Sequence, residues 1–267
     1  RPILGPAVAV ARLERFARVV STQDVVRAWL ADGQAEICLA VADEQSAGRG
    51  RFRRPWLAPS GRALLVSAGL RPTSLPPTQA WRLPAVCAMA MLRAASDMLG
   101  PGADRLALKW PNDIVALSDG GLRKVGGVLA EAETAQGRLS NVVVGLGINV
   151  DWSAADFPAE LAAGMGSLSE AAGRSLDRDA LLAAWAAYLV PLYEGLLAGR
   201  FDRRGWSAAQ VTTGADVAVE TGTLESQEAD PGAGTVLVSG PLASPLTWFA
   251  YVTAHDRAFG STKSLPA

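Results

Sequence analysis

Histidine is almost absent from this chain: its 267 residues include one, His255, near the C-terminal end. A Ser-His-Asp or Cys-His apparatus would have to reach across domains to use it. Cysteine is nearly as scarce. Cys38 and Cys87 both lie in apolar runs, which reads as buried free thiols rather than a disulfide or a zinc site, and fits a reducing, cytoplasmic compartment. Neither sign of charge is in excess, with 25 Lys and Arg against 26 Asp and Glu; this argues against a protein whose main task is to coat nucleic acid. No Gly-Lys-Ser/Thr phosphate loop occurs, and Gly145-Leu146-Gly147-Ile148-Asn149 lacks the third glycine and the following helix of a dinucleotide fingerprint. An unbroken membrane-length apolar run is missing too. The longest, Leu181 to Ala198, contains Pro191 and Glu194 and spaces Leu181, Trp185, Leu189, Leu192 and Leu196 as a core-facing helix. The opening Arg1 to Val10 is interrupted by Arg12, Glu14 and Arg15 before a signal core is complete, so no secretion signal is expected.

What is present concentrates in a few stretches. Asp43 to Trp56 gathers glycine, arginine and one aromatic between two apolar runs of strand length, Glu36 to Ala42 and Ala63 to Leu70, and reads as a ligand-covering loop held at both ends by sheet. Gly48 and Gly50 would let its backbone take positive φ and approach a ligand. Arg49 and Arg51 bring guanidinium forks suited to phosphate or carboxylate oxygens, and Trp56 a flat face for a planar ring. A solvated basic hairpin, or a small patch that touches nucleic acid, explains the same residues when the stretch is taken alone.

Upstream, Ser21 is placed to cap a helix running to Asp32-Gly33, with Asp24 completing a capping-box-like pattern. Downstream, Trp81 to Leu99 reads as a central buried helix, Arg105–Trp110, Ile114–Leu117, Lys124–Ala130 and Asn141–Val150 as strands of a sheet made largely of hairpins, and residues 151–178 as a loop-rich stretch of small residues. No regular βαβ repeat is visible, so a doubly wound parallel sheet is not expected. The predicted fold is α+β, a mixed and largely antiparallel sheet with helices packed on it. Residues 1–210 form the main domain, 211–258 a small C-terminal β-barrel, and 259–267 a loose tail.

Three further clusters carry candidate chemistry. Lys109-Trp110-Pro111-Asn112-Asp113 puts an amide and a carboxylate on a rigid turn at a strand end, where Asn bonds in either direction and Asp can orient a cation; an Asx turn satisfying its own backbone is the ordinary alternative. Lys124, before Val125-Gly126-Gly127, either enters a cavity or snorkels at the surface. Gly145 to Asn149 is the last. With histidine and cysteine chemistry poorly supplied, this inventory of Arg, Lys, Gly and an Asn-Asp turn suits phosphoryl or nucleotidyl transfer.

In order and spacing, Gly48-Arg49-Gly50-Arg51 with Trp56, Lys109-Trp110-Pro111-Asn112-Asp113-Ile114, Lys124-Val125-Gly126-Gly127 and Gly145-Leu146-Gly147-Ile148-Asn149 together resemble biotin protein ligases. The resemblance covers about Ser21 to Asp151 strongly, the following helix loosely and the terminal region by position. It implies a class II synthetase-like fold and a two-step reaction: biotin and ATP give biotinyl-5'-AMP and pyrophosphate, and a lysine of a biotin carboxyl carrier domain then attacks the mixed anhydride. By motif, Ser21, Thr22, Gln23, Gln45, Gly48, Gly50 and Gly127 would belong to the biotin pocket, with Arg49, Arg51 and Lys124 at its carboxylate end. Trp56, Asn112, Asn149 and Arg51 would bind the nucleotide. Lys124, Arg49, Arg51 and Asp113 would be catalytic, Asn112 and Asp113 would position the intermediate and Mg2+, and no separate set of metal ligands is expected. Gln23 stands where the family usually has Asn, Arg53 replaces the second glycine of the loop, Pro55 stiffens the approach to Trp56, and Gly126 replaces a common alanine. The resemblance is to the type without N-terminal DNA-binding helices, so neither operator DNA nor membrane is an expected partner, and homodimerisation is left open. A related lipoate or acyl ligase and an adenylate-binding protein with impaired turnover are the competing readings. A ureido ring asks for polar partners such as Ser21, Thr22 and Gln45, whereas a lipoyl chain asks for an apolar channel.

Overall fold

The structure is a computed structural model that describes residues 9–51, 54–118 and 120–213, together with the pairs 218–219 and 254–255. Seven strands form one mixed sheet in the order β1-β2-β3-β7-β6-β5-β4. They are β1 (Arg12–Val19), β2 (Cys38–Gln45), β3 (Ala63–Leu70), β4 (Leu106–Lys109), β5 (Asp113–Ser118), β6 (Gly121–Ala135) and β7 (Arg138–Asn149). Five of the six pairings are antiparallel, in keeping with the predicted class. The exception is β1 with β2, parallel and joined through helix α1 (Thr22–Ala31). A single βαβ unit is therefore present, because the helix expected after Ser21, rather than a tight turn, connects the first two strands.

Period-2 alternation divides the core between the two faces. Leu39 and Val41 of β2, Leu64 and Val66 of β3, and Val142, Val144, Leu146 and Ile148 of β7 pack with α2 (Arg82–Leu99) and α5 (Arg178–Leu197). Cys38 and Ala40 of β2 and Val143 of β7 turn the other way and meet Val26, Trp29 and Leu30 of α1. Both α2 and α5 are long and apolar enough to cross a membrane by length and composition, and both contribute to this core. Trp185 of α5 is fully buried and donates its indole N–H to the Cys87 carbonyl of α2 at 3.1 Å. The two thiols are free and buried, as expected, and burial pushes the Cys87 thiol upward.

Several boundaries differ from the sequence reading. Strand β2 runs on through Asp43, Glu44 and Gln45, so Gln45 sits on a strand rather than in the loop. The segment 151–178, expected to be loop-rich, holds two short helices, α3 (Ala159–Ala162) and α4 (Leu168–Ala172), the latter with a Ser167/Glu170 capping box. After α5 comes α6 (Arg203–Ala208), and residues 209–211 then lie along β4, with Leu108 N–H bonded to Ala209 and Val211 N–H to Leu108. The barrel over 211–258, the tail 259–267 and Arg53 lie outside the described residues, apart from 211–213 and two short antiparallel strands, β8 (Ala218–Val219) and β9 (Ala254–His255).

Trp185→Ala should cost about 3–5 kcal/mol, since it removes the largest fully buried side chain among the described residues and leaves the Cys87 carbonyl without its indole donor. Chemical denaturation should show a lower midpoint; a midpoint within error of wild type would mean that α2 and α5 do not depend on this contact.

Candidate functional site

A cavity of about 370 Å³ opens on the α1 face of the sheet, and it exists because the strands there are nearly bare. Along β7 the even-numbered residues face the core, so Val143, Gly145, Gly147 and Asn149 face the other way. Two register rows make the floor. Ser67 of β3, Gly145 of β7 and Leu129 of β6 form one row; Leu65, Gly147, Gly127, Asp113 and Lys109 form the next. Side chains from elsewhere occupy the space a Cβ would take. At Gly145 it would stand 3.0 Å from the Gln23 side chain, and at Gly147 only 2.4 Å from the indole of Trp56.

The polar end of the cavity is built on the N-terminus of α1. Ser21 caps the helix, accepting from the Gln23 N–H at 3.3 Å. Gln45 Oε1 accepts from the Thr22 N–H at 2.7 Å and its hydroxyl at 3.0 Å, and that hydroxyl lies 2.8 Å from the Ser67 hydroxyl. Gln23 reaches across Gly145 to the Leu129 carbonyl at 3.3 Å. Ser21, Thr22, Gln23 and Ser67 are all buried, so these bonds replace water around groups that would otherwise be costly to enclose. Ser67 did not stand out in the sequence; its signal was a lone hydroxyl in an otherwise apolar strand.

The charged end comes from β5 and β6. The β5–β6 pairing takes Ile114 to Gly126 and Val115 to Lys124, skipping Val125. This irregularity turns Lys124 onto the same side as Gly127, three residues away, which an unbroken strand would point oppositely. Lys124 Nζ then lies 2.7 Å from the Asp113 carboxylate and 5.6 Å from the Trp56 ring centre. Asn112 donates to the Val128 carbonyl at 2.9 Å and accepts from Arg51 at 2.6 Å, so the turn is tied to both the strand and the loop.

The loop folds back on itself. Trp56 N–H donates to Gly48 and Gly50 N–H to Arg54, each at 2.8 Å, while Arg49 bridges to Pro55. Gly48 and Gly50 do not adopt the positive φ expected of them. Gly48 is required for close approach instead, since a Cβ there would stand 2.6 Å from the Trp56 carbonyl. Arg49 lines the cavity, yet its two terminal nitrogens are spent on Asp24 at 2.9 and 2.8 Å. Asp24 is thus not the capping-box partner the sequence pointed to. Its carboxyl is held below the ordinary carboxylate value by the Arg49 hydrogen bond and then by Arg27, against the opposing effect of partial burial. The pair is therefore intact at neutral pH and is lost only in acid, as pH falls through that lowered value.

A third wall, not anticipated, is apolar: Trp152, Phe157, Pro158, Leu161 and Met165. Trp152 and Phe157 stack with ring centres 3.8 Å apart. The wall is attached to β6 by hydrogen bonds from Lys124 N–H to Gly164 and from Gly166 N–H to Lys124. Asn149 secures it further. Fully buried, it donates to the Gly166 carbonyl at 2.9 Å, while its Oδ1 has no hydrogen-bond partner. Asn149 and Gly48 are not among the residues that line the cavity, whereas Ser21, Thr22, Gln23, Gln45, Arg49, Gly50, Arg51, Trp56, Asn112, Asp113, Lys124 and Gly127 all are. A second depression of about 290 Å³, lined by Arg27, Leu30, Glu131, Ala132, Glu133, Asn141 and Val143, contains none of the sequence candidates.

Residues 16–149 match the Biotin/lipoate A/B protein ligase family. Over 162 residues, 61% of this chain and 47% of the other protein, the chain is 36% identical to the bifunctional ligase/repressor BirA of Bacillus subtilis. It is 32% identical to the biotin--[acetyl-CoA-carboxylase] ligase of Paracoccus denitrificans over 227 residues, 79% of this chain and 88% of that one. A solved biotin protein ligase from Aquifex aeolicus in complex with biotin and ATP aligns with a TM-score of 0.64 at 26% identity, covering 78% of this chain and 82% of its own. The chain spans about half the length of the Bacillus relatives it matches.

Gly147→Ala should expel the Trp56 indole from its seat and destabilise the fold by no more than about 1–3 kcal/mol, because a loop residue can move where a core residue cannot. Oxidation of Trp56 by N-bromosuccinimide, read by peptide mass spectrometry in ligand-free protein, should accelerate. Unchanged protection of Trp56 would contradict the packing described.

Proposed function

The chain belongs to the biotin/lipoate A/B protein ligase family, and from that premise we propose that it activates biotin with ATP and transfers the acyl group to a lysine of a biotin carboxyl carrier domain. The observation that carries this reading is one cavity with a hydrogen-bonding end at Ser21, Thr22, Gln45 and Ser67 and a cationic end at Arg51 and Lys124. A ureido ring needs both donors and acceptors, which the first end supplies; a carboxylate and a phosphate need cations, which the second supplies. The names and ligands of the Paracoccus and Aquifex relatives point the same way.

In the first step a biotin carboxylate oxygen attacks the α-phosphorus of ATP, the bond to the β-phosphate bridging oxygen breaks, and pyrophosphate leaves. The carboxylate is already ionised at neutral pH, so no general base is required and the scarcity of histidine is no obstacle. What the step does require is positioning and charge neutralisation. Arg51, held over the cavity by Asn112, and Lys124, oriented by Asp113, serve that purpose. In the second step the uncharged amine of the acceptor lysine attacks the acyl carbon, the bond to the phosphate oxygen breaks, AMP departs, and the amine gives up one proton to solvent to leave the amide. Trp56 and the Trp152/Phe157 wall offer flat apolar surfaces for the base.

Mg2+ fits this reading as a companion of the nucleotide. Asp113 is the one carboxylate among the lining residues, and no group of three His, Cys, Asp or Glu side chains that could hold a metal converges among the described residues. The phosphates would supply most of its oxygen ligands, with Asp113 the nearest protein group, and the ion would neutralise phosphate charge. A cytoplasmic setting, and a catalytic domain of residues 1–210 followed by a small barrel over 211–258, belong to the same proposal.

Pyrophosphate exchange measured side by side with biotin and with lipoate should proceed with biotin. Exchange with lipoate alone would transfer the substrate assignment, and none with either would leave an adenylate-binding protein. Lys124→Ala should lower the adenylation rate by about 10²–10³-fold while biotin affinity by calorimetry changes little; equal losses in both would assign Lys124 to the pocket wall.

A further inference from the structure

The two arginines of the loop are used differently, and the difference assigns a task to Asp24. Arg51 crosses the cavity to Asn112, whereas Arg49 turns to the first turn of α1 and grips both oxygens of the Asp24 carboxylate. That carboxylate also receives Arg27 at 2.6 Å, Arg27 continues to Glu131, and Arg49 Nε stands 3.9 Å from the same Glu131. Two cations and two anions alternate around one small ring, so no member faces an uncompensated neighbour. A single exposed pair would contribute little, but a bidentate guanidinium within a network holds one geometry more firmly.

The position of that grip in the loop matters. Residues 48–50 pair with 54–56, through the Gly48–Trp56 and Gly50–Arg54 hydrogen bonds on either side of the Arg49–Pro55 bridge. Arg49 is therefore the middle rung of a short hairpin. Fixing it fixes Trp56 on the opposite strand and the point from which Arg51 departs.

We infer that the Asp24–Arg49 pair is the pin of the loop: Asp24 is a positioning residue for adenylate formation, Arg49 acts through it rather than on the ligand, and the pair sets where Arg51 and Trp56 stand. Asp24 lies two residues from Thr22 of the polar pocket, so the pin references the loop to the floor on which substrate would rest. The inference rests on the proposed adenylation, but the pin itself is a property of the ligand-free protein and is tested there first.

The test is a double-mutant cycle on the full chain with Asp24→Ala, Arg49→Ala and the double variant, and with Asp24→Asn as a milder substitution should Asp24→Ala fail to fold. In ligand-free protein, trypsin cleavage after Arg51, followed by mass spectrometry, should rise about fivefold or more in each single variant and no further in the double. Unchanged cleavage in the single variants, or increases that multiply in the double, would remove the pin, whatever reaction the protein performs. In pyrophosphate exchange, each single variant should lose about tenfold in kcat/KM, release preformed adenylate faster in a chase, and leave the double no worse than either single. A loss from Arg49→Ala that persists in full in the Asp24→Ala background would show Arg49 acting on the ligand directly and overturn the assignment. Absence of exchange in the wild-type protein would count against the adenylation reading, and with it the catalytic half of the inference, while the cleavage assay would still decide the pin.

Discussion

The site depends on a patch of sheet that carries no side chains. At Gly145, Gly147 and Gly127 the strands turn bare backbone toward α1, and a floor of this kind lets Gln23 and Trp56 lie within van der Waals reach of the main chain. A methyl group at Gly147 would overlap the indole, so the floor cannot be refilled without displacing what rests on it. The opposite face of the same β7 strand is fully furnished with Val142, Val144, Leu146 and Ile148. One strand thus anchors the sheet to α2 and α5 with one half of its residues and makes room for chemistry with the other.

Around that floor the loop is held at three kinds of contact. Arg49 is ion-paired to Asp24, Arg51 is hydrogen-bonded to Asn112, and Trp56 is packed on glycine. These differ in how they respond to a ligand. Asp24 is not among the residues that line the cavity, so the ion-paired end can persist, while under the proposed reaction the Arg51 and Trp56 ends would exchange their present partners for phosphate and base. Lys124 is paired with Asp113, and under the same proposal an arriving phosphate would compete for its charge. Cations already neutralised by neighbouring groups avoid the cost of standing alone in a partly enclosed cavity, and need little reorganisation to meet an anion.

Much of this was legible in the residues. The clusters at 48–56, 109–114, 124–127 and 145–149 were read as one constellation, and their members at Arg51, Trp56, Asn112, Asp113, Lys124 and Gly127 meet at one cavity. Strand β3 was read at its observed limits, because its apolar run ends abruptly at both sides. Other features had no local signature. Ser67 looks like any strand serine until its register with Gly145 is known. Asp24 has the spacing of a helix cap, and only the folded loop brings a stronger partner, Arg49, to its carboxylate. The apolar wall from Trp152 to Met165 read as a loop because its order comes from bonds to β6 and Asn149, not from its own pattern.

Sequence alone determined the fold class, the list of polar and cationic groups the chain carries, and the scarcity of histidine. These follow from residue chemistry and from periodicities of two and 3.6, which are local. Tertiary structure decided which of those groups share a cavity and which partner each has chosen. The irregular step that turns Lys124 toward Gly127, the division of labour between Arg49 and Arg51, and the exclusion of Asn149 from the cavity lining all arise from contacts between residues 9 to 61 positions apart. Interactions of that range depend on strand register and loop path, quantities that no single stretch of chain encodes.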